Sequence, residues 1–271
     1  MGELQDLSKQ KINYKKLLLK KNNEPICCLT AYSKPLANIL DGNVDLILVG
    51  DSLGTTLYGM KNTRLVNLEM MKNHGKAVVS NTKKSMTIID MPYKTYRNKK
   101  EALKNALDIL TYTKADFIKI ETDNKSVDIV KHLSKNKIKV VSHIGITPQK
   151  FSDFTKIKSV GKNFNESKNL IKLAKKLEEA GSKLIVLECI EMNTAKEITN
   201  KLTIPTIGIG ASKYCDGQVL VIDDIINLDS SNYKPKFIKT YTNIENNIIN
   251  AVKNFTKEVK NKKFPSKKHS Y

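Results

Sequence analysis

The sequence predicts an α/β fold, a single-domain (β/α)8 or TIM barrel. Eight short apolar runs recur along the chain, segments with helical spacing lie between them, and 271 residues match the size of one such barrel. Most runs are continuous rather than alternating, which is typical of parallel strands buried on both faces. The runs span residues 26–31, 44–50, 85–91, 115–121, 138–144, 182–188, 204–209 and 218–222. A doubly wound open sheet is the alternative, although no GxGxxG motif follows the first run.

The helical segments follow the same order. Residues 99–113 and 166–180 carry apolar side chains three and four positions apart, and Gly181 is a natural helix stop. Residues 244–260 form an amphipathic pattern that we expect either to cap the barrel or to pack on a neighbouring subunit. We therefore expect residues 1–271 to form one barrel domain with a short N-terminal extension and a basic C-terminal helix and tail.

The charge is strongly positive, at +20, from 47 Lys and Arg residues against 27 Asp and Glu. Only Arg64 and Arg97 are arginines, whereas proteins that read bases or clamp phosphates rely on the planar arginine fork. Lys, Asn and Ile, all with A/T-rich codons, are abundant throughout. The excess is interpreted mainly as a solvated lysine surface, and attraction of anionic substrates and nucleic-acid binding are the less favoured alternatives.

Other sequence features place the chain among globular cytoplasmic proteins. No apolar run is long enough to cross a membrane, and the first residues contain no apolar signal core. The four cysteines form no CxxC pair, so we expect small buried thiols in a reducing compartment rather than a zinc site.

Polar residues end the predicted strands. The carboxyl ends of barrel strands meet at one rim, where the active sites of such barrels lie. Residues i and i+2 of a strand share a face, so Lys119 and Glu121 point the same way. The other strand-end groups are Asp51 and Ser52, Asp90, Ser142 and His143, and Glu188.

Four acids at one rim need a counter-charge, because each unpaired buried carboxylate costs several kcal/mol. Carboxylates without a His/Cys cluster suit Mg²⁺ rather than zinc. A single strand-end acid is ordinarily a helix cap or a solvated residue, but four acids at the ends of four predicted strands favour a functional site. His143 fits either a packed structural residue or a catalytic one.

Several motifs, taken together and in order, resemble the ketopantoate hydroxymethyltransferase family. They are LTAYS, VDLILVGDSLG, DMPY, SHIGITPQ, IVLEC, IPTIGIGAS, CDGQVLV and FPSKKHSY, and they extend from about residue 10 to residue 271. The resemblance implies a barrel of the phosphoenolpyruvate/pyruvate-binding type, assembled as a homodecamer of two five-membered rings. It also implies transfer of a one-carbon unit from 5,10-methylenetetrahydrofolate to 3-methyl-2-oxobutanoate, giving 2-dehydropantoate for pantothenate synthesis.

The resemblance also assigns residues. The family's Mg²⁺ ligands fall on Asp51 and Asp90, and Glu121 assists the metal. Its substrate contacts fall on Asp51, Ser52, Asp90 and Lys119. Its general base falls on Glu188.

Three segments depart from the family pattern. Thr122 and Asp123 follow the fourth-strand Glu in place of glycines, and Ser142 replaces the glycine before the fifth-strand His. The stretch 151–163 after ITPQ lacks the usual glycine richness. All assigned metal, substrate and base residues are nevertheless present.

Two other functions remain open on the sequence. A Mg²⁺-dependent carbon–carbon lyase acting on a 2-oxo or 2-hydroxy dicarboxylate would share the acid cluster, but such lyases add a reactive cysteine on a loop. A basic RNA- or DNA-binding protein would need exposed aromatic residues, and aromatics make up only 6% of the chain.

Overall fold

Eight parallel strands close into a barrel in the computed structural model of this chain, each strand pairing with the next and the last with the first. The structure describes residues 11–151, 158–228 and 235–271. The predicted N-terminal extension before residue 11 and much of the divergent stretch 151–163 lie outside these residues. The strands are β1 (Ile26–Thr30), β2 (Leu46–Val49), β3 (Met86–Asp90), β4 (Phe117–Glu121), β5 (Val140–Gly145), β6 (Leu184–Glu188), β7 (Thr206–Ile209) and β8 (Gly217–Leu220).

The predicted barrel is confirmed, and its strand bounds differ only at the ends. The run 44–50 contains the shorter β2, because Gly50 and Asp51 already leave the ladder. The run 218–222 overlaps β8, which stops at Leu220 because Ile222 begins the next helix.

Helices connect the strands. They are α1 (Tyr14–Lys20), α2 (Lys34–Leu40), α3 (Leu53–Thr56), α4 (Leu68–Val79), α5 (Lys99–Thr113), α6 (Val127–Lys135), α7 (Phe164–Glu179), α8 (Met192–Lys201), α9 (Ile222–Ile226) and α10 (Ile244–Lys260), with 3₁₀ turns at Thr63–Leu65, Pro148–Lys150 and Lys267–His269. The pattern 99–113 is confirmed as α5. The pattern 166–180 is confirmed as α7, which starts two residues earlier because the Asn163 side chain caps it by accepting the Glu166 N–H.

The barrel interior is apolar toward the amino ends of the strands and polar toward their carboxyl ends. Inward positions early in the strands, such as Leu46, Met86 and Phe117, form one fully buried cluster. Helix α1 adds to this layer, with Leu17 buried and the Tyr14 ring 6.1 Å edge-on from Phe117. At the carboxyl ends of β3 and β4 the inward positions are polar, namely Asp90, Lys119 and Glu121. This is the end of such barrels at which active sites lie.

The chain divides into two compact units at Val221 and Ile222. The first contains the barrel. The second contains α9 and α10, and α10 presents an exposed apolar stripe that includes Ile248, Val252 and Phe255. The amphipathic helix is thus confirmed, whereas its partner and the single-domain organisation stay predictions. No described helix combines the length and the apolar character that a bilayer crossing requires.

The expectation that all four cysteines are buried is wrong for one of them. Cys28 and Cys215 are buried and Cys189 is partly so, but Cys27 is exposed. Consecutive residues of a strand face opposite sides, so Cys28 points into the barrel and Cys27 points out. All four thiols are free.

Candidate active site

An ion pair joins two neighbouring strands at the rim. Asp90 on β3 and Lys119 on β4 are direct register partners. The Lys119 ammonium lies 2.9 Å from Asp90 Oδ1 and 3.0 Å from Oδ2, and both side chains are buried. Asp90 Oδ2 also accepts the backbone N–H of Asp51 at 3.1 Å, which ties the end of β2 to the pair.

Ser52 lies next to Asp51, at the start of α3. Its hydroxyl is 2.7 Å from the hydroxyl of Tyr32, a buried residue just after β1. The site therefore draws on the ends of β1 and β2 as well as β3 and β4.

Gln149, in the 3₁₀ turn after β5, connects the two other buried carboxylates. Its backbone N–H donates to both oxygens of Glu121, at 3.0 and 3.1 Å. Its side-chain amide donates to Asp51 Oδ2 at 2.8 Å and to the Met91 carbonyl at 3.0 Å. The Tyr96 hydroxyl donates to the remaining Gln149 oxygen. Gln149 is 3% exposed, so it is itself shielded from solvent.

The electrostatics show more negative charge than Lys119 alone compensates. Burial, and then repulsion from Asp90, raise the pKa of Asp51 to about 7. Burial, and then Asp51, raise the pKa of Glu121 well above its ordinary value. Burial opposes the charged form of Lys119, but Asp90 and Asp51 outweigh it and raise its pKa. Carboxylates held in this way gain from a further cation.

The residues fit a magnesium ion. Among the described residues no three His, Cys, Asp or Glu side chains form a ready metal cluster. Mg²⁺ does not need one, since it takes one or two carboxylates and completes its shell with water and substrate oxygens. Asp51 and Asp90 offer such a hard oxygen pair. Asp90 Oδ1 is buried without a hydrogen bond, although it lies within ion-pair distance of Lys119.

Glu188 is the least buried acid of the group. It ends β6 with 15% of its side chain exposed, and its charge adds to the pKa rise of both Asp51 and Glu121. His143 on β5 places Nε2 3.1 Å from Glu188 Oε2, outside good hydrogen-bond geometry. Burial, and then the Lys119 charge, lower the pKa of His143. A neutral imidazole therefore lies beside a carboxylate that a ligand could reach.

The departures from the family pattern leave this arrangement in place. Ser142 points away from the barrel axis and bonds the Ser182 hydroxyl at 2.6 Å. Thr122 donates from its backbone and hydroxyl to the His143 carbonyl at 2.8 and 2.9 Å. Asp123 pairs with Lys150 at 3.0 Å, beside Gln149. The loop after Glu121 is thereby held against β5 without glycines.

The predicted rim residues come together around one point, namely Asp51, Ser52, Asp90, Lys119, Glu121, His143 and Glu188. Sequence reasoning missed Gln149 and Tyr96. Both lie in loops that have no periodicity, and the only signal for Gln149 was its place in the ITPQ motif.

The chain is similar to known proteins along nearly its whole length. Residues 11–267 match the family model described as ketopantoate hydroxymethyltransferase. A protein of Pelagibacter ubique named 3-methyl-2-oxobutanoate hydroxymethyltransferase is 50% identical, covering 98% of this chain and 100% of its own. An Anaplasma marginale protein of the same name is 43% identical, covering 96% of this chain and 93% of its own.

Solved structures agree on the fold. A phosphonopyruvate hydrolase superposes with a TM-score of 0.60 at 10% identity, covering 94% of this chain and 92% of its own. A Streptomyces platensis phosphoenolpyruvate phosphomutase gives 0.58 at 9% identity, covering 92% and 88%. These likenesses show that the fold, a closed (β/α)8 barrel, is shared. On the strength of the family model and the curated relatives, the chain belongs to the ketopantoate hydroxymethyltransferase family.

Proposed function

We propose that this chain transfers a hydroxymethyl group from 5,10-methylenetetrahydrofolate to 3-methyl-2-oxobutanoate, giving 2-dehydropantoate, with Asp51 and Asp90 holding Mg²⁺. The observation that carries the proposal is the partly exposed carboxylate of Glu188 beside the buried cluster of Asp51, Asp90 and Lys119. This set supplies a base, a cation and a metal-binding acid pair at one rim. The choice of 3-methyl-2-oxobutanoate as the substrate follows the names of the relatives.

Each residue has a distinct part in the proposed reaction. Glu188 takes the proton from C3 of the 2-oxo acid, which leaves C3 as the nucleophile toward the donor methylene group. Lys119, fixed by Asp90, places positive charge beside the oxygen that becomes negative. When bound, Mg²⁺ supplies Lewis-acid stabilisation to the keto and carboxylate oxygens. Water supplies the hydroxyl oxygen of the product, and both bonds from the donor methylene carbon to the folate nitrogens break. The C3 proton and one proton of the water end on those nitrogens, and tetrahydrofolate leaves.

Ser52 and Glu121 support the site. The Ser52 hydroxyl, oriented by Tyr32, offers a hydrogen bond to the substrate carboxylate at the carboxyl rim of the barrel. Glu121 lies behind Asp51 and is fixed by the Gln149 N–H, so we assign it to the outer surroundings of the metal. The homodecamer and the cytoplasmic location belong to the same proposal.

The lyase alternative has less support. Cys189, next to the proposed base, is a poor candidate for its reactive cysteine, because burial, and then Glu188, raise the pKa of this thiol to about 12. A thiol of this kind stays protonated near neutral pH. Cys28 and Cys215 are buried, and Cys27 lies on a strand rather than on a loop.

The direct experiment is a product assay with the purified chain. We expect 2-dehydropantoate to form only when keto acid, methylenetetrahydrofolate and Mg²⁺ are all present. EDTA should stop the reaction and added Mg²⁺ should restore it. Cleavage of a 2-hydroxy or 2-oxo dicarboxylate, without product from the keto acid, would contradict the proposal.

A further inference from the structure

A second polar feature borders the acid cluster at the same rim. A cavity of about 360 Å³ is lined by Asn62, Arg64, Leu65, Tyr93 and Lys94. Tyr93 follows Asp90 by three residues in the loop after β3. The 3₁₀ turn that carries Arg64 packs against the 3₁₀ turn that carries Gln149. The cavity is therefore a neighbour of the proposed reaction centre.

Two cations face one aromatic ring in this cavity. The Arg64 guanidinium lies 4.5 Å from the centroid of the Tyr93 ring, and its Nη2 donates to the Tyr93 hydroxyl at 2.9 Å. The Lys94 ammonium lies 5.4 Å from the same ring. Among the described ion pairs neither cation has a carboxylate partner. Arg97, by contrast, is paired with Glu101 at 2.9 Å.

An arginine is itself informative in this chain, where all but two of the basic residues are lysine. Guanidinium can stack on an aromatic ring and still present a planar fork to a carboxylate, which a lysine ammonium cannot do. Leu65, 61% exposed, adds an apolar wall. The combination suits a planar aryl group that carries a carboxylate.

We propose that this cavity binds the aminobenzoyl-glutamate end of the one-carbon donor, with Arg64 receiving a glutamate carboxylate. The inference rests on the proposed function, because it takes a folate as the donor. Charge supports the placement. Asp51, Asp90, Glu121 and Glu188 would repel an anionic tail from the centre, whereas Arg64 and Lys94 attract it to the edge.

The test compares the two arginines of the chain. Arg64→Met removes the fork and keeps most of the apolar stem, and Arg97→Met is the matched control. Losing an arginine–carboxylate contact should raise the KM for methylenetetrahydrofolate about tenfold to a hundredfold. The KM for the keto acid and kcat should change less than about twofold. Arg97→Met should match the wild type.

Binding measured without turnover separates this inference from the proposed function. By calorimetry, Arg64→Met should bind tetrahydrofolate about tenfold or more weakly than the wild type. Exchange of the C3 proton of the keto acid needs no donor and should stay unchanged. Equal tetrahydrofolate affinity, or a raised KM for the keto acid instead of the donor, overturns the subsite and leaves the transferase assignment standing. Absence of product in the wild type overturns the transferase assignment, and absence of tetrahydrofolate binding overturns the subsite.

Discussion

Gln149 holds two acids of the site through separate parts of one residue. Its backbone serves Glu121, and its side chain serves Asp51, Met91 and Tyr96. A leucine at this position therefore keeps the contact to Glu121 and loses those of the side chain. Residues that orient metal ligands are typically worth tenfold to a hundredfold in metal affinity. We predict that Gln149→Leu weakens Mn²⁺ binding by about that factor, measured by electron paramagnetic resonance. Tyr96→Phe should weaken it less.

A matched control exists for this measurement. Gln218 lies on β8 with its side chain exposed and bonded to the Ser212 carbonyl. Gln218→Leu should bind Mn²⁺ like the wild type. Equal Mn²⁺ affinity in all three variants would remove Gln149 from the positioning role.

Glu188 is the residue whose chemistry is most easily isolated. Glutamine keeps its size and removes its basicity, so Glu188→Gln should retain keto acid and metal binding. Exchange of the C3 proton with deuterium, followed by proton NMR, should fall by a factor of at least about 100. Glu179→Gln, at the exposed end of α7, is the control. Unchanged exchange in Glu188→Gln would exclude it as the base.

His143 should make the protein sensitive to acid. Its pKa is lowered by burial and then by Lys119, while Glu188 and Asp90 act in the opposite direction. The unfolded chain therefore takes up a proton near the ordinary histidine pKa of about 6.5 before the folded chain does. Stability supplied by the neutral ring is present above that pH and is lost as the pH falls toward the folded pKa. Urea unfolding of His143→Gln should show a shallower loss between neutral and weakly acidic pH, and an equal slope would contradict this.

The acids were predictable from the sequence because strand ends in a parallel barrel converge. An apolar inward-facing residue lies two or four positions earlier on the same strand as each of Asp90, Lys119, Glu121 and Glu188. Because side chains alternate along a strand, the sequence predicts that these four also face inward. Gln149 was not predictable by this rule. Its position depends on how a short turn folds back over the rim, and turns of three residues have no periodicity to read.

At the level of whole elements, the junction of β5 and β6 has little room to change. Gly145 ends β5 opposite Glu188, with φ at +98°. A Cβ there would meet the Glu188 carbonyl oxygen at 2.2 Å and Ile190 Cγ1 at 2.8 Å. The backbone of the proposed base therefore lies against the one residue type that leaves space for it.

Gly145→Ala should consequently disturb both stability and catalysis. Gly59 is the control, since its φ is +61° but nothing lies within 4 Å of an added Cβ. Alanine there should cost only the conformational penalty of about 1 kcal/mol. Gly145→Ala should cost about 2 kcal/mol more in urea unfolding, because backbone must move. It should also slow C3 proton exchange, whereas equal effects of the two substitutions would contradict the steric argument.

The sequence predicted those helices and strands that are long enough to show a recognisable pattern. Strands of four to six residues appeared in the sequence as continuous apolar runs, and helices of more than ten residues appeared as apolar side chains three and four positions apart. Helix α3, with four residues, and the 3₁₀ turns at Thr63–Leu65 and Pro148–Lys150 did not. The two 3₁₀ turns carry Arg64 and Gln149, which the sequence did not assign to the site, whereas Ser52 at the start of α3 was predicted because it follows a strand end.

Across the whole molecule, one buried ion pair ties the start of the barrel to its end. Lys21, just after α1, donates to Asp216 at 2.8 Å and to the Thr199 carbonyl at 3.0 Å. Asp216 precedes β8 and also accepts the N–H and hydroxyl of Thr206. The side chains of Lys21 and Asp216 are 7% and 3% exposed, so losing one leaves an uncompensated buried charge.

Lys21→Met should therefore lower the free energy of unfolding by about 3 kcal/mol, measured in urea. The Thr206 contacts keep the cost near the lower end of the usual range. Lys201→Met breaks an exposed pair with Glu197 and should cost less than about 1 kcal/mol. A loss at Lys21 no larger than that at Lys201 would show that Asp216 is satisfied without its cation.

The pairing of the last strand with the first also determines when the barrel can close during translation. Ile26 finds its partner only when Gly217 has been made, because β1 joins β8. At roughly 5–20 residues per second, the nascent chain spends on the order of 10–40 seconds with β1 as an open edge. An unpaired edge of a parallel sheet is a template for aggregation until it is covered. On the ribosome, the need for chaperone protection therefore lasts until β8 emerges, and the carboxyl rim, which draws on strands from both halves of the chain, is complete only after that.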